Sequence, residues 1–112
     1  MTDLPNLPKK KERKEGKLQD SVMEYLRELC LKNDCQFGLT NHMSSYKDSG
    51  WPDITGDVMG LFVGIELKDI DGVQSQLQKK FKKKCEDIGG VYILAHSLEE
   101  VQAGLKTFHL TK

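Results

Sequence analysis

The sequence has no excess of charge of either sign: its 112 residues carry 17 Lys+Arg against 17 Asp+Glu. Net charge alone therefore points to no nucleic-acid partner, and any such partner has to be sought in how the charges are distributed. There is no long apolar run, so neither a membrane span nor a signal peptide is expected. Cysteine is scarce and odd in number: Cys30, Cys35 and Cys85, with no C-x-x-C pair. That argues against a disulfide framework or a zinc site, and the expectation is free thiols in a soluble intracellular protein. Proline is also scarce, and Pro5 and Pro8 leave Pro52 alone in the rest of the chain. A chain of this length builds one domain around one core.

The charges that are present are clustered. Lys9-Lys10-Lys11 with Arg13-Lys14 is one basic group, and Lys79-Lys80 with Lys82-Lys83-Lys84 is another. Residues 1–14 hold the first cluster, two prolines and few apolar side chains, and read as a mobile basic tail ahead of a folded domain over 15–112. From about Glu15 to Leu31 the spacing turns helical, with Leu18, Val22, Leu26 and Leu29 in one stripe and Tyr25 and Cys30 at its margins. At about 100° per residue Glu15 falls within that stripe, whereas Glu24 stands about 200° from Val22 and faces water. Asn33-Asp34 stops the helix, and Gln36 to Thr40 is a short first strand. The polar segment Asn41 to Gly50 is a loop carrying His42, Tyr46 and Lys47, residue types that touch phosphates and stack on bases.

The next stretch organises the rest. Trp51 to Lys68 reads as two strands joined by a tight turn at Met59-Gly60. In the second strand Leu61, Val63, Ile65 and Leu67 take one face, and Phe62, Gly64, Glu66 and Lys68 the other. An acid and a base inside an apolar strand are costly unless something pairs with them. Hairpin pairing brings Asp53 beside Glu66, so two carboxylates and an ammonium gather at a sheet edge. Such a group suits a divalent cation.

Asp69 to Gly72 is a turn in which Asp69 and Asp71 do ordinary turn chemistry. A helix from about Gln76 to Ile88 turns Leu77, Phe81, Cys85 and Ile88 inward. Ser75-x-x-Gln78 is a capping-box pattern at its start, and Gly89-Gly90 closes it. Lys79 and Lys83 point away from the core, as phosphate-contacting lysines would. Val91 to Ala95 is an apolar strand, expected to be central. Ser97-x-x-Glu100 is a second capping-box pattern, opening a helix with Leu98, Val101, Leu105 and Phe108 inward. His96 and His109 have no partner spacing, and Trp51 reads as a packing residue. The order helix, strand, hairpin, helix, strand, helix makes an α/β protein with a small mixed sheet flanked by helices.

Pro52-Asp53 followed by Glu66-Leu67-Lys68 resembles the PD-(D/E)xK signature of metal-dependent nucleases. With Gly56, Gly72, Ser75, Gln78, the basic helix, Gly89-Gly90 and the strand leading to Ser97-Leu98-Glu99-Glu100-Val101, the order is similar to the VRR-NUC family. That domain stands alone in phage and bacterial proteins, and the similarity covers roughly residues 15 to 106. The resemblance implies a restriction-endonuclease-like fold and Mg²⁺ or Mn²⁺ held by Asp53, Glu66, the Leu67 carbonyl and Glu15. The family's first helix begins with a Glu followed four positions on by a Gln, as Glu15 and Gln19 stand here. It further implies catalytic roles for Lys68 and Gln78, and a homodimer acting on branched DNA, above all four-way (Holliday) junctions. A flap- or duplex-directed nuclease, or a DNA-binding module without activity, are the alternatives.

Overall fold

Helical and strand periodicity account for most elements of the computed structural model, which describes residues 14–40 and 50–111, with side chains from residue 16 onward. Helix α1, Lys14–Lys32, buries Val22, Leu26 and Leu29 and packs Leu18 against the same cluster. Asn33 fixes its end. The Asn33 Nδ2 donates to the carbonyls of Leu29 (2.9 Å) and Thr111 (2.7 Å), while its Oδ1 accepts from the Thr111 amide (2.8 Å). One amide side chain thus satisfies a helix-end carbonyl and ties the C-terminal segment to α1.

Strand β1, Cys35–Leu39, follows directly, and here the expectation of free thiols is overturned. The bend at Asn33-Asp34 sends the chain back along the last turn of α1. Cys30 and Cys35 thereby come to a Cα–Cα distance of 5.1 Å and form a disulfide. A five-residue spacing has no C-x-x-C signature, and only the reversal makes the bond reachable. Cys85 is the free, buried thiol.

The sheet runs β1-β2-β3-β4, with β2 at Ile54–Val58, β3 at Leu61–Leu67 and β4 at Val91–Ala95. β1/β2 and β2/β3 are antiparallel and β3/β4 is parallel. The β2–β3 turn falls at Met59-Gly60 as expected. Val58 pairs with Leu61, and φ is +51° at Met59 and +86° at Gly60. Two positive φ values match the twist of a two-residue hairpin, and glycine takes the second at no steric cost. β4 is an edge strand rather than a central one. Its apolar run reflects cover on both faces, since Tyr92 meets Phe81 on one side and Ile93 and Ala95 join the aliphatic core on the other.

The layers follow from that alternation. On one face Val22, Leu26 and Leu29 of α1, with Val101 and Leu105 of α3 (Leu98–Leu105), close over Ile54, Val58, Val63, Ile65, Leu67, Ile93 and Ala95. A 3₁₀ turn at Lys106–Phe108 continues α3 and brings Phe108 against the same core. Across the sheet, α2 (Gln76–Asp87) lies over an aromatic group. Trp51 and Phe81 have ring centroids 4.9 Å apart, and Phe62 and Tyr92 stand 6.3 and 6.1 Å from Phe81. Trp51 is thus a packing residue. Only Phe81 and Cys85 of the expected α2 stripe face inward; Leu77 is 48% and Ile88 73% exposed.

Candidate active site

Four of the expected residues converge where β2 begins and β3 ends. Asp53 lies one position before Ile54, which pairs with Ile65, so Asp53 is level with Glu66. Its placement depends on Gly64: a Cβ there would come within 2.7 Å of the Pro52 ring. Pro52 packs flat over β3 because residue 64 has no side chain, and Asp53 follows from that close approach. The ladder ends beyond Ile54, and the Asp53 side chain takes over, with Oδ2 accepting from the Leu67 amide at 2.9 Å. In a strand the amide and carbonyl of one residue point to the same side, so the Leu67 carbonyl is directed toward Asp53. The group lies at the ends of the two central strands, not at a sheet edge.

Glu66 is 3% exposed, because α2 covers its face of β3. Its Oε2 accepts from Gln78 Nε2 at 2.8 Å and stands 3.5 Å from Lys68 Nζ. Its Oε1 is buried and has no partner. Burial pushes the Glu66 carboxyl up from its ordinary 4.5 to about 7, and the neighbouring Asp53 adds to the rise while Lys68 opposes it. Burial, with the Glu66 charge next, also raises the Tyr92 phenol, which accepts from Gln74 Nε2 at 3.1 Å.

Gln78 performs both jobs that its position allows. Its Oε1 accepts from the Ser75 amide (2.9 Å) and its own amide donates to Ser75 Oγ (3.1 Å), completing the capping box. Its Nε2 is the group that reaches Glu66. The cap therefore sets the rotamer that delivers a donor to the buried acid. Replacing Ser75 with alanine should cost about 1 kcal/mol of stability, read by denaturant unfolding. A change well under that value would mean that the cap does not hold Gln78.

Other expected residues are placed differently. Lys79 and Lys83 lie on the exposed side of α2, with Lys83 engaged by Asp87 at 2.9 Å. Tyr46 and Lys47 lie outside the described residues, as do the Glu15 side chain and the segment 1–13. The second capping box is half formed. Ser97 Oγ accepts from the Glu100 amide, but the Glu100 carboxylate bonds the His96 amide (2.6 Å) and Nδ1 (3.2 Å) instead. His96 thus has an i,i+4 partner, contrary to the sequence reading, and its amide and ring hold Glu100 below the usual carboxylate range. A separate groove of about 840 Å³ between α1 and α3, lined by Tyr25, Leu29, Gln102 and Leu105 among others, includes none of Asp53, Glu66, Lys68 or Gln78.

Two carboxylate side chains, an ammonium and an amide thus lie together at the ends of β2 and β3. No family model matches the sequence, and no curated protein matches it. Among solved structures, one described as "VRR_NUC domain protein" is similar in fold, with a TM-score of 0.64 at 16% sequence identity over 88% of this chain and 89% of that one. The chain has the α/β architecture of that domain: a mixed four-stranded sheet with helices on both faces. No helix among the described residues is long and apolar enough to cross a membrane.

Proposed function

We propose that this chain is a divalent-metal-dependent nuclease of the PD-(D/E)xK kind, with Asp53, Glu66, Lys68 and Gln78 as its working side chains. One observation carries the reading. Glu66 is buried beside a second carboxylate and keeps one oxygen unpartnered, an arrangement that costs stability unless a cation completes it. The similar fold of a VRR_NUC domain protein supports it.

The donor set fits Mg²⁺ or Mn²⁺. Asp53, Glu66 and the Leu67 carbonyl offer only oxygen, which hard cations prefer. Among the described residues no group of three or more His, Cys, Asp and Glu side chains could hold a metal, and the third carboxylate of this proposal, Glu15, has its side chain outside them. When bound, the ion acidifies a water and draws charge from the phosphate. Lys68, with its Nζ 3.5 Å from Glu66 Oε2, donates to the charge that develops on the phosphate oxygens. Gln78, anchored by its cap, spends one amide proton on Glu66 and keeps a second for the water or the phosphate. Lys79 and Lys83 extend the positive surface along α2, and Tyr46 and Lys47, which lie outside the described residues, would add further contacts to DNA.

The finer reading is a homodimer that cleaves four-way junctions, each protomer cutting one strand. Purified protein incubated with a labelled junction and a matched linear duplex, in Mg²⁺ or Mn²⁺, tests both levels. Paired cuts confined to the junction are expected. Equal cutting of both DNAs leaves the nuclease and removes junction selectivity. Absence of cleavage in either metal removes the nuclease reading.

A further inference from the structure

Two buried side-chain oxygens among the described residues have no hydrogen-bond partner, Glu66 Oε1 and Thr40 Oγ1. They share one row of the sheet. Leu39 pairs with Ile54 and Ile54 with Ile65; Ile54 and Ile65 belong to the aliphatic core and Leu39 packs against it. The next residues along, Thr40, Asp53 and Glu66, are therefore level across three strands and turned to the opposite face. The Thr40 amide donates to the Asp53 carbonyl at 2.9 Å, which carries the register to this last pair. With strands about 4.8 Å apart, Thr40 flanks Asp53 on one side as Glu66 does on the other.

Thr40 is 5% exposed. A threonine at a strand end normally turns its hydroxyl to water or to a backbone group, and a buried hydroxyl with neither is destabilising. Valine has the same shape and would fill the position without that cost. The hydroxyl is explained if something joins it when the site is loaded. We propose that Thr40 is a further residue of the cation site: its hydroxyl accepts a hydrogen bond from the hydration shell of a divalent ion held by Asp53 and Glu66. The proposal rests on the reading of that site as a metal centre. A small, strongly hydrated ion keeps several waters, and those waters need acceptors beyond the two carboxylates.

The test compares wild type, Thr40→Val, Thr40→Ser and Glu66→Gln in the full chain. Mn²⁺ affinity is read by calorimetry or by the electron paramagnetic resonance of free Mn²⁺, and thermal unfolding is read in chelator. Thr40→Val should weaken Mn²⁺ binding about tenfold or more, with a melting temperature in chelator equal to or above wild type. Thr40→Ser, which keeps the hydroxyl, should bind within about twofold of wild type, since partners in this position tune affinity more than they create it. Thr40→Val that binds Mn²⁺ as tightly as wild type overturns the proposal and leaves the metal centre standing. A lowered melting temperature for Thr40→Val also overturns it, because the hydroxyl would then serve the fold. If wild type takes up no Mn²⁺ and Glu66→Gln behaves identically, the metal centre itself falls and Thr40 with it.

Discussion

If the chain is the metal-dependent nuclease proposed, exchanging Asp53 for asparagine should lower cleavage at least about a hundredfold and raise the melting temperature of the metal-free protein. The two effects have one cause. Asparagine keeps an oxygen for the Leu67 amide, so the contact at 2.9 Å that closes the end of β3 survives. What disappears is the negative charge level with Glu66, which helps to push the Glu66 carboxyl up to about 7. Two charges one strand apart, at an effective dielectric near 20, repel by a few kcal/mol at most, on the order of 3. Part of that is offset by the Lys68 ammonium beside Glu66, leaving an expected gain of about 1 kcal/mol near pH 8. In a domain of this size that is a rise of about 4–8 °C. Cleavage in Mn²⁺ should fall at least about a hundredfold, since removing even an outer partner of a metal typically costs 10–100-fold. Retained cleavage would remove Asp53 from the site. A lowered melting temperature would mean that the carboxylate serves the fold and not a ligand.

That opposition between stability and activity also separates what the sequence made legible from what it did not. The β2–β3 hairpin could be read because its signals are local: strict alternation in β3, a glycine in the turn, and an acid and a base where apolar residues belong. Asp53 beside Glu66 followed from counting across the turn. Gln78 was half legible. Its capping motif is local, whereas a place at the site came only from the resemblance, and in the structure the side chain makes the cap through Oε1 and meets Glu66 through Nε2. The rest depends on how elements pack. Nothing local tells Cys30 that Cys35 returns beside it, since that requires the reversal after α1. β4 reads as a central strand because both its faces are covered, and only topology puts it at the edge. The pairing of His96 with Glu100 was hidden because the same acid fits a cap on Ser97, and a carboxylate that can reach two amides is not assigned by spacing alone. Thr40 carries no motif at all. Its relation to Asp53 exists only in the register of β1 against β2.

The metal-free stability of wild type relative to Glu66→Gln should depend on pH, and the sign follows from Glu66 itself. Its carboxyl lies at about 7 in the folded protein against an ordinary 4.5. Between those values the folded state holds a proton that the unfolded state has released. Stability attributable to this residue is therefore complete below pH 4.5 and declines as pH rises through about 7. Above pH 7 the folded protein keeps a buried carboxylate at a cost on the order of 3 kcal/mol. Glutamine holds its amide oxygen against Gln78 and carries no charge, so it escapes this decline. The variant and wild type should melt together near pH 4.5 and diverge as pH rises, with the variant more stable by several degrees at pH 8. Urea unfolding at a series of pH values in chelator measures the difference directly. Curves that stay parallel across the range would show that Glu66 ionises as easily as an exposed acid. The case for a strained, cation-seeking carboxylate would then be lost. Adding Mn²⁺ supplies the complementary result. Wild type should gain stability in proportion to the logarithm of Mn²⁺ concentration above its dissociation constant, and Glu66→Gln should gain little. The ion would thereby restore in the loaded protein what the buried acid removes in the empty one.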